Sequence, residues 1–126
     1  STGDLVITAD DGIAADFTGQ HHATRDPDGR LRLFDNRDNA AGDSRALTLE
    51  LGDNAAIVDV FQTPLQCNVQ GSHFWLDGGG AVVTCAEYRV ITSYGSDAQP
   101  LFTMTPTCGA PSFSGLIARA MPVELP

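Results

Sequence analysis

The sequence repeats itself weakly at a distance of about 51 residues, and this constrains the chain more than any other feature. Placing residues 20–29 over 71–80 sets His22 on His73, Asp26 on Asp77 and Gly29 on Gly80. Further along, a distance of 44 sets Arg45 on Arg89 and Asp53 on Asp97, and a distance of 41 sets Cys67 on Cys108. The shrinking distance is read as a longer loop, Arg37 to Ser44, in the first copy. The repeating unit is therefore 40 to 50 residues long, the length of one four-stranded propeller blade.

Local patterning agrees with a chain built of strands. Apolar residues rarely recur at helical spacing, and Gly, Pro, Asn or Asp interrupts nearly every window. Short alternating runs predict strands at Asp4–Thr8, Arg30–Phe34, Arg45–Leu51, Ala56–Phe61, Ala81–Cys85, Tyr88–Ser93 and Leu101–Met104. Turns are expected at Pro27-Asp28-Gly29, Gly52-Asp53-Asn54, Asp77-Gly78-Gly79-Gly80 and Gly95-Ser96-Asp97. Phe113–Met121, bracketed by Pro111 and Pro122, reads as a strand rather than a helix.

The expected fold is all-β: a partial β-propeller of about two four-stranded antiparallel blades plus flanking strands. Residues 1–17 would flank a preceding blade, 18–63 and 64–107 would each make a blade, and 108–126 would supply a closing terminal strand. Two blades cannot close a ring. The remainder of the propeller is therefore expected on another chain or from symmetric copies, and a chain that starts at Ser1 without Met reads as processed or partial.

Charge and cysteine usage narrow the setting. Seven Arg, no Lys and 16 acidic residues give a net charge of -9, which excludes a nucleic-acid binder working through a basic face. No apolar stretch is long enough for a membrane span, and no signal-peptide pattern is present. Cys67, Cys85 and Cys108 lack metal-type spacing and lean towards an oxidising compartment, secreted or periplasmic. Cys67 and Cys85 would stand at the same edge of one hairpin, so they are expected to pair, leaving Cys108 free or joined to a partner chain.

Hairpin geometry places the polar residues. A first turn centred on Asp28-Gly29 sets His22 opposite Asp35 and His21 opposite Asn36, with Arg45 returning to the same edge. The second unit offers His73, Glu87 and Arg89 in the corresponding places. In a propeller the first strand of each blade lines the central channel, so all three histidines would converge on one mouth of it. Arg grips an oxyanion such as sulfate with a planar fork, and neutral His serves as nucleophile or as general acid and base. Against this stands a plainer reading: Asp and Asn end strands as turn-formers, and a His beside an Asp is often only a satisfied pair. The run Asp35 to Asp43 lacks the spacing of a Ca²⁺ loop, no metal site is indicated, and no cofactor motif is present.

The stretch Gly19-Gln20-His21-His22-Ala23 through Gly29-Arg30-Leu31-Arg32-Leu33-Phe34-Asp35-Asn36, followed by Ser44-Arg45-Ala46-Leu47, resembles the bacterial arylsulfotransferase family, as does the ending Ala118-Arg119-Ala120. The likeness spans about residues 17 to 61 and is thin afterwards. It implies the C-terminal part of an exported six-bladed propeller. It also implies transfer of a sulfuryl group between phenols through a sulfohistidine, with a phenolic sulfate as ligand and no nucleotide donor. On this resemblance His21 matches the Gln-His position and His73 is the candidate for a second catalytic role, while His22, Asn36, Arg45 and Arg89 would bind substrate. His22 and Arg37 depart from the family pattern at their positions. The competing expectation is a non-catalytic secreted propeller acting as scaffold or binding module.

Overall fold

The structure, a computed structural model, describes residues 6–37 and 42–106. Among these, all regular structure is strand, arranged as two sheets. The first contains β1 (Ile7–Ala9), β2 (Gln20–Arg25), β3 (Leu31–Asp35), β4 (Arg45–Leu51) and β5 (Ala55–Gln62) in the order β1-β5-β4-β3-β2. The second is the meander β6 (Ser72–Trp75), β7 (Ala81–Cys85), β8 (Val90–Tyr94) and β9 (Pro100–Met104). Six of the expected runs, from Arg30–Phe34 to Leu101–Met104, are strands to within two residues; the expected Asp4–Thr8 is met by β1 at Ile7–Ala9, and β2 and β6 form where no alternating run marked a strand. β1 joins the first sheet in parallel to β5, giving that sheet five strands. Phe113–Met121 and Cys108 lie outside the described residues.

The turns follow from their residues. Asp26 and Arg30 close the first hairpin through the Asp26 N–H to Arg30 carbonyl bond, and Asp26 Oδ1 also accepts the Arg30 N–H at 2.8 Å. The second unit repeats the closure with Leu76 and Gly80. Gly29 and Gly79 occupy the same place in the two turns, both in the left-handed region that glycine adopts without strain.

The ladders show that the two four-stranded meanders are structural repeats, and they correct the repeat distance. Up to His22 the offset is 51, but β2 carries a bulge between His21 and Thr24 that β6 lacks, so beyond it the offset is 50 and Asp26 corresponds to Leu76 rather than Asp77. From β4 onwards Arg45 corresponds to Val90, not Arg89. Both units are irregular at the same point of the last ladder, between Thr48 and Leu49 and between Ser93 and Tyr94. Phe61 thereby corresponds to Met104.

Period-two alternation then decides what is buried. One face of the first sheet carries Leu33, Leu47, Leu49 and Ile57, is continued by Ile7 and Ala9 of β1, and packs against Ile13 and Phe17 of the N-terminal segment. Its other face carries Phe34, Ala46 and Phe61, which pack on Ala81, Val83, Cys85 and Tyr94 of the second sheet. A fully buried Phe34 alone contributes about 2 kcal/mol. The linker 63–71 crosses between the sheets and is tied by the Cys67–Cys85 disulfide, as the hairpin argument expects. Gly71 in this linker has φ +145, and a Cβ there would stand 2.6 Å from Phe34.

Candidate functional site

The polar residues singled out by the sequence separate into three places. The first is the seam between β2 and β6. His22 sits in the bulge with φ +52, which turns it towards the second sheet. The main-chain N–H of His73 donates to His22 Nδ1 at 3.4 Å. The two rings meet edge to face at 5.9 Å, and the His22 ring lies 4.7 Å from Phe74. His73 is 2% exposed, 6.3 Å from Phe34 and 6.0 Å from Trp75. Both of its ring nitrogens are buried without a hydrogen-bond partner. Burial pushes its pKa down to about 3, with the nearby His22 and Arg32 adding to the effect, so the ring is neutral at physiological pH.

His21 is not part of that cluster; it is solvent-exposed on β2. Its ladder partner is Phe34, and Gln20 rather than His22 stands opposite Asp35. The expected pairings of His22 with Asp35 and His21 with Asn36 are thus two places out. The Asp26–Arg30 closure accounts for one place and the bulge for the other.

The second place is the buried end of β3 and β4. Arg45 donates from Nε to Asp35 Oδ2 at 2.8 Å and from its guanidinium to the Asp16 carbonyl. Asp35 Oδ1 also accepts the N–H groups of Thr18 at 3.1 Å and Arg37 at 3.0 Å. This pair clamps the N-terminal segment onto the first sheet, and both side chains are buried. A cleft of about 500 Å³ opens beside it, lined among others by Ile13, Arg37, Arg45 and Gln62. The guanidinium groups of Arg37 and Arg45 are both engaged with Asp16. Asn36 is fully buried and donates through Nδ2 to the Gln70 carbonyl at 3.1 Å, joining the first sheet to the linker.

The third place is the turn Ala86–Arg89, closed by the Arg89 N–H to Ala86 carbonyl bond. Arg89 is exposed with φ +56, and the neighbouring Glu87 accepts from Asn68. The expected equivalence of Arg45 and Arg89 on one rim therefore does not hold: one opens a strand and is buried, the other sits in a turn.

Two residues that are not among the candidate site residues matter more than expected. The Ser44 hydroxyl accepts the Cys67 N–H at 2.7 Å and lies 3.1 Å from the Asn36 carbonyl, while the Thr63 hydroxyl bridges to the carbonyls of Ser44 and Leu65. Together they sew the linker to the first sheet. Among the described residues no group of three or more His, Cys, Asp or Glu could hold a metal, and no helix is long and apolar enough to cross a membrane. Compared with protein-family models, curated proteins and solved structures, the chain matches none.

Proposed function

We propose that the chain is a non-catalytic binding or scaffold module, secreted or periplasmic, whose two sheets are neighbouring blades of a β-propeller. The observation that carries this reading is the burial of His73 in the seam, packed by His22, Phe34 and Trp75 and closed to a substrate. Two other candidates support it: Arg45 is engaged with Asp35, and the Asn36 amide donates to the Gln70 carbonyl. For the propeller, the support is geometric. Equivalent residues of neighbouring blades touch only close to the axis of rotation. His22 and His73, 5.9 Å apart, would stand roughly 6 Å from the axis of a six-bladed ring. The buried disulfide favours an oxidising compartment.

A second reading, the C-terminal portion of an arylsulfotransferase-like propeller that transfers a sulfuryl group between phenols, is favoured by one observation. His21, at the Gln-His position of the resemblance, is exposed on the edge strand β2. Incubation of the protein with an aryl sulfate and a phenol acceptor separates the two. The scaffold reading expects no transfer above background. Transfer that is abolished by His21→Ala in a protein of unchanged melting temperature would overturn it.

A further inference from the structure

The aliphatic face of the first sheet is not closed along its whole length. Ile13 and Phe17 pack against it, and at the β4–β5 end a cleft of about 500 Å³ lies between the N-terminal segment and the strand ends, with Ile13 and Val60 on its apolar side. That size falls within the roughly 300 to 1,000 Å³ that small-ligand sites occupy. Arg45, which opens β4, and Gln62, which ends β5, are ladder partners and both line the cleft. Each is held from behind. Arg45 donates from Nε to the buried Asp35 and from Nη2 to the Asp16 carbonyl, so among the described residues Nη1 is the donor it has to offer. Gln62 donates from Nε2 to the Asp43 and Ser44 carbonyls at 3.0 and 3.2 Å, which leaves Oε1 as an acceptor. The Arg45 side chain is only 6% exposed, so packing and the Asp35 carboxylate fix its direction.

We infer that this cleft binds a neutral, extended peptide segment: Arg45 Nη1 donates to a main-chain carbonyl, Gln62 Oε1 accepts a main-chain N–H, and a small aliphatic side chain rests on Ile13 and Val60. Charge decides against the alternatives. An anion meets the Asp43 carboxylate at the rim, the Asp16 carboxylate beside Arg37 and a net charge of -9. A cation meets Arg37 and Arg45. A main-chain amide carries one acceptor, one donor and no charge, so it matches a fixed donor beside a fixed acceptor without either conflict. A sugar ring packs its apolar face on an aromatic side chain, and the described residues lining the cleft include none. The inference rests on the binding-module reading and names its ligand.

The probe is the capped tripeptide acetyl-Ala-Val-Ala-amide, titrated into the full chain and followed by amide chemical shifts. A saturable response at Ile13, Val60 and Gln62 is expected, with a Kd of about 1 mM. Gln62→Met keeps the length of the side chain and removes the acceptor, and should weaken binding at least about fivefold at unchanged melting temperature. Because the change also removes Nε2, a second reagent isolates the acceptor: peptides in which each main-chain N–H in turn is replaced by an ester oxygen. One replacement should weaken binding to the parent about fivefold and leave binding to Gln62→Met unaffected. No saturable shift up to about 20 mM, shifts centred away from the cleft, equal binding by Gln62→Met, or no ester that separates parent from variant overturns the inference. If Gln62→Met does not fold, the ester series on the parent decides, and the absence of any weakening overturns it. Acetate or glucose moving the same resonances as strongly as the peptide assigns the cleft to anions or sugars and overturns it likewise. Sulfuryl transfer is measured on an aryl sulfate and peptide binding on the capped peptide, so failure of the binding-module reading is distinguishable from failure of this inference.

Discussion

His22 and His73 stand 51 residues apart in the chain and meet in the seam between the sheets, where the main-chain N–H of His73 donates to His22 Nδ1 at 3.4 Å. The contact joins the free edge strands of two repeating units at equivalent positions. It turns one candidate substrate-binding group, His22, and one candidate catalytic group, His73, into part of the packing.

The His73 ring gives stability a pH dependence of known sign. Its pKa is about 6.5 in the unfolded chain and about 3 in the folded one. Above 6.5 both states carry a neutral ring; below it the unfolded chain takes up a proton that the folded chain refuses. Stability falls as the pH drops from 6.5 towards 3, by up to about 4 kcal/mol from this group. His73→Phe keeps an aromatic ring against Phe34 and removes two unpartnered nitrogens. Urea unfolding at pH 7, 5 and 4 should show the variant at least as stable as the parent at pH 7, with a visibly flatter pH profile.

Arg45→Ala leaves the buried Asp35 carboxylate without its cation. The expected loss is roughly 3 kcal/mol or more. Because Asp35 and Arg45 hold Asp16 and Thr18, proteolysis of the native protein should become faster in the segment before β2. An unchanged unfolding midpoint would refute the clamp.

Gly71→Ala places a Cβ against the Phe34 ring at a backbone angle that L residues rarely adopt. A destabilisation of about 2 kcal/mol is expected. Phe34→Leu in the same background should recover part of it, since the clash is with the ring. Equal instability of the single and double variants would show that backbone strain alone is responsible.

Reduction of Cys67–Cys85, or Cys67→Ser with Cys85→Ser, frees a link between residues 18 apart in sequence. The expected cost is about 3 kcal/mol by loop entropy. Thermal unfolding with and without reductant measures it. The linker 63–71 should then exchange its amide protons faster than β3 or β4, because it is held by isolated hydrogen bonds to Ser44, Asn36 and Glu87 rather than by a ladder.

Much of the fold was legible because turn chemistry and alternation are local. Arg45–Leu51 and Ala81–Cys85 could be read to the residue, and the turn glycines stand where the hairpins close. The cysteine pairing was legible too, although Cys67 stands in the linker ahead of β6 rather than at the start of the hairpin's first strand. The candidate site was much less legible. Its residues were placed by counting along an ideal hairpin, and the bulge at His22 together with the left-handed turn residue Arg89 each displace that count.

The amino-acid sequence by itself determined that this protein is made of short strands in two similar units, tied by Cys67 and Cys85, because strand period, turn residues and hairpin edges are set within a few positions of one another. Only the tertiary structure decided what those strands do with their polar residues. β4 shows why: its alternation predicts one buried face, yet Arg45 to Thr48 are buried on both, since the N-terminal segment covers one side and the second sheet the other. A single inserted residue in a ladder moves every later side chain to a different partner or face. The bulge in β2 takes His22 away from Asp35 and into the seam beside His73, while the β3–β4 ladder sets Arg45 against Asp35 and the turn Ala86–Arg89 holds Arg89 apart.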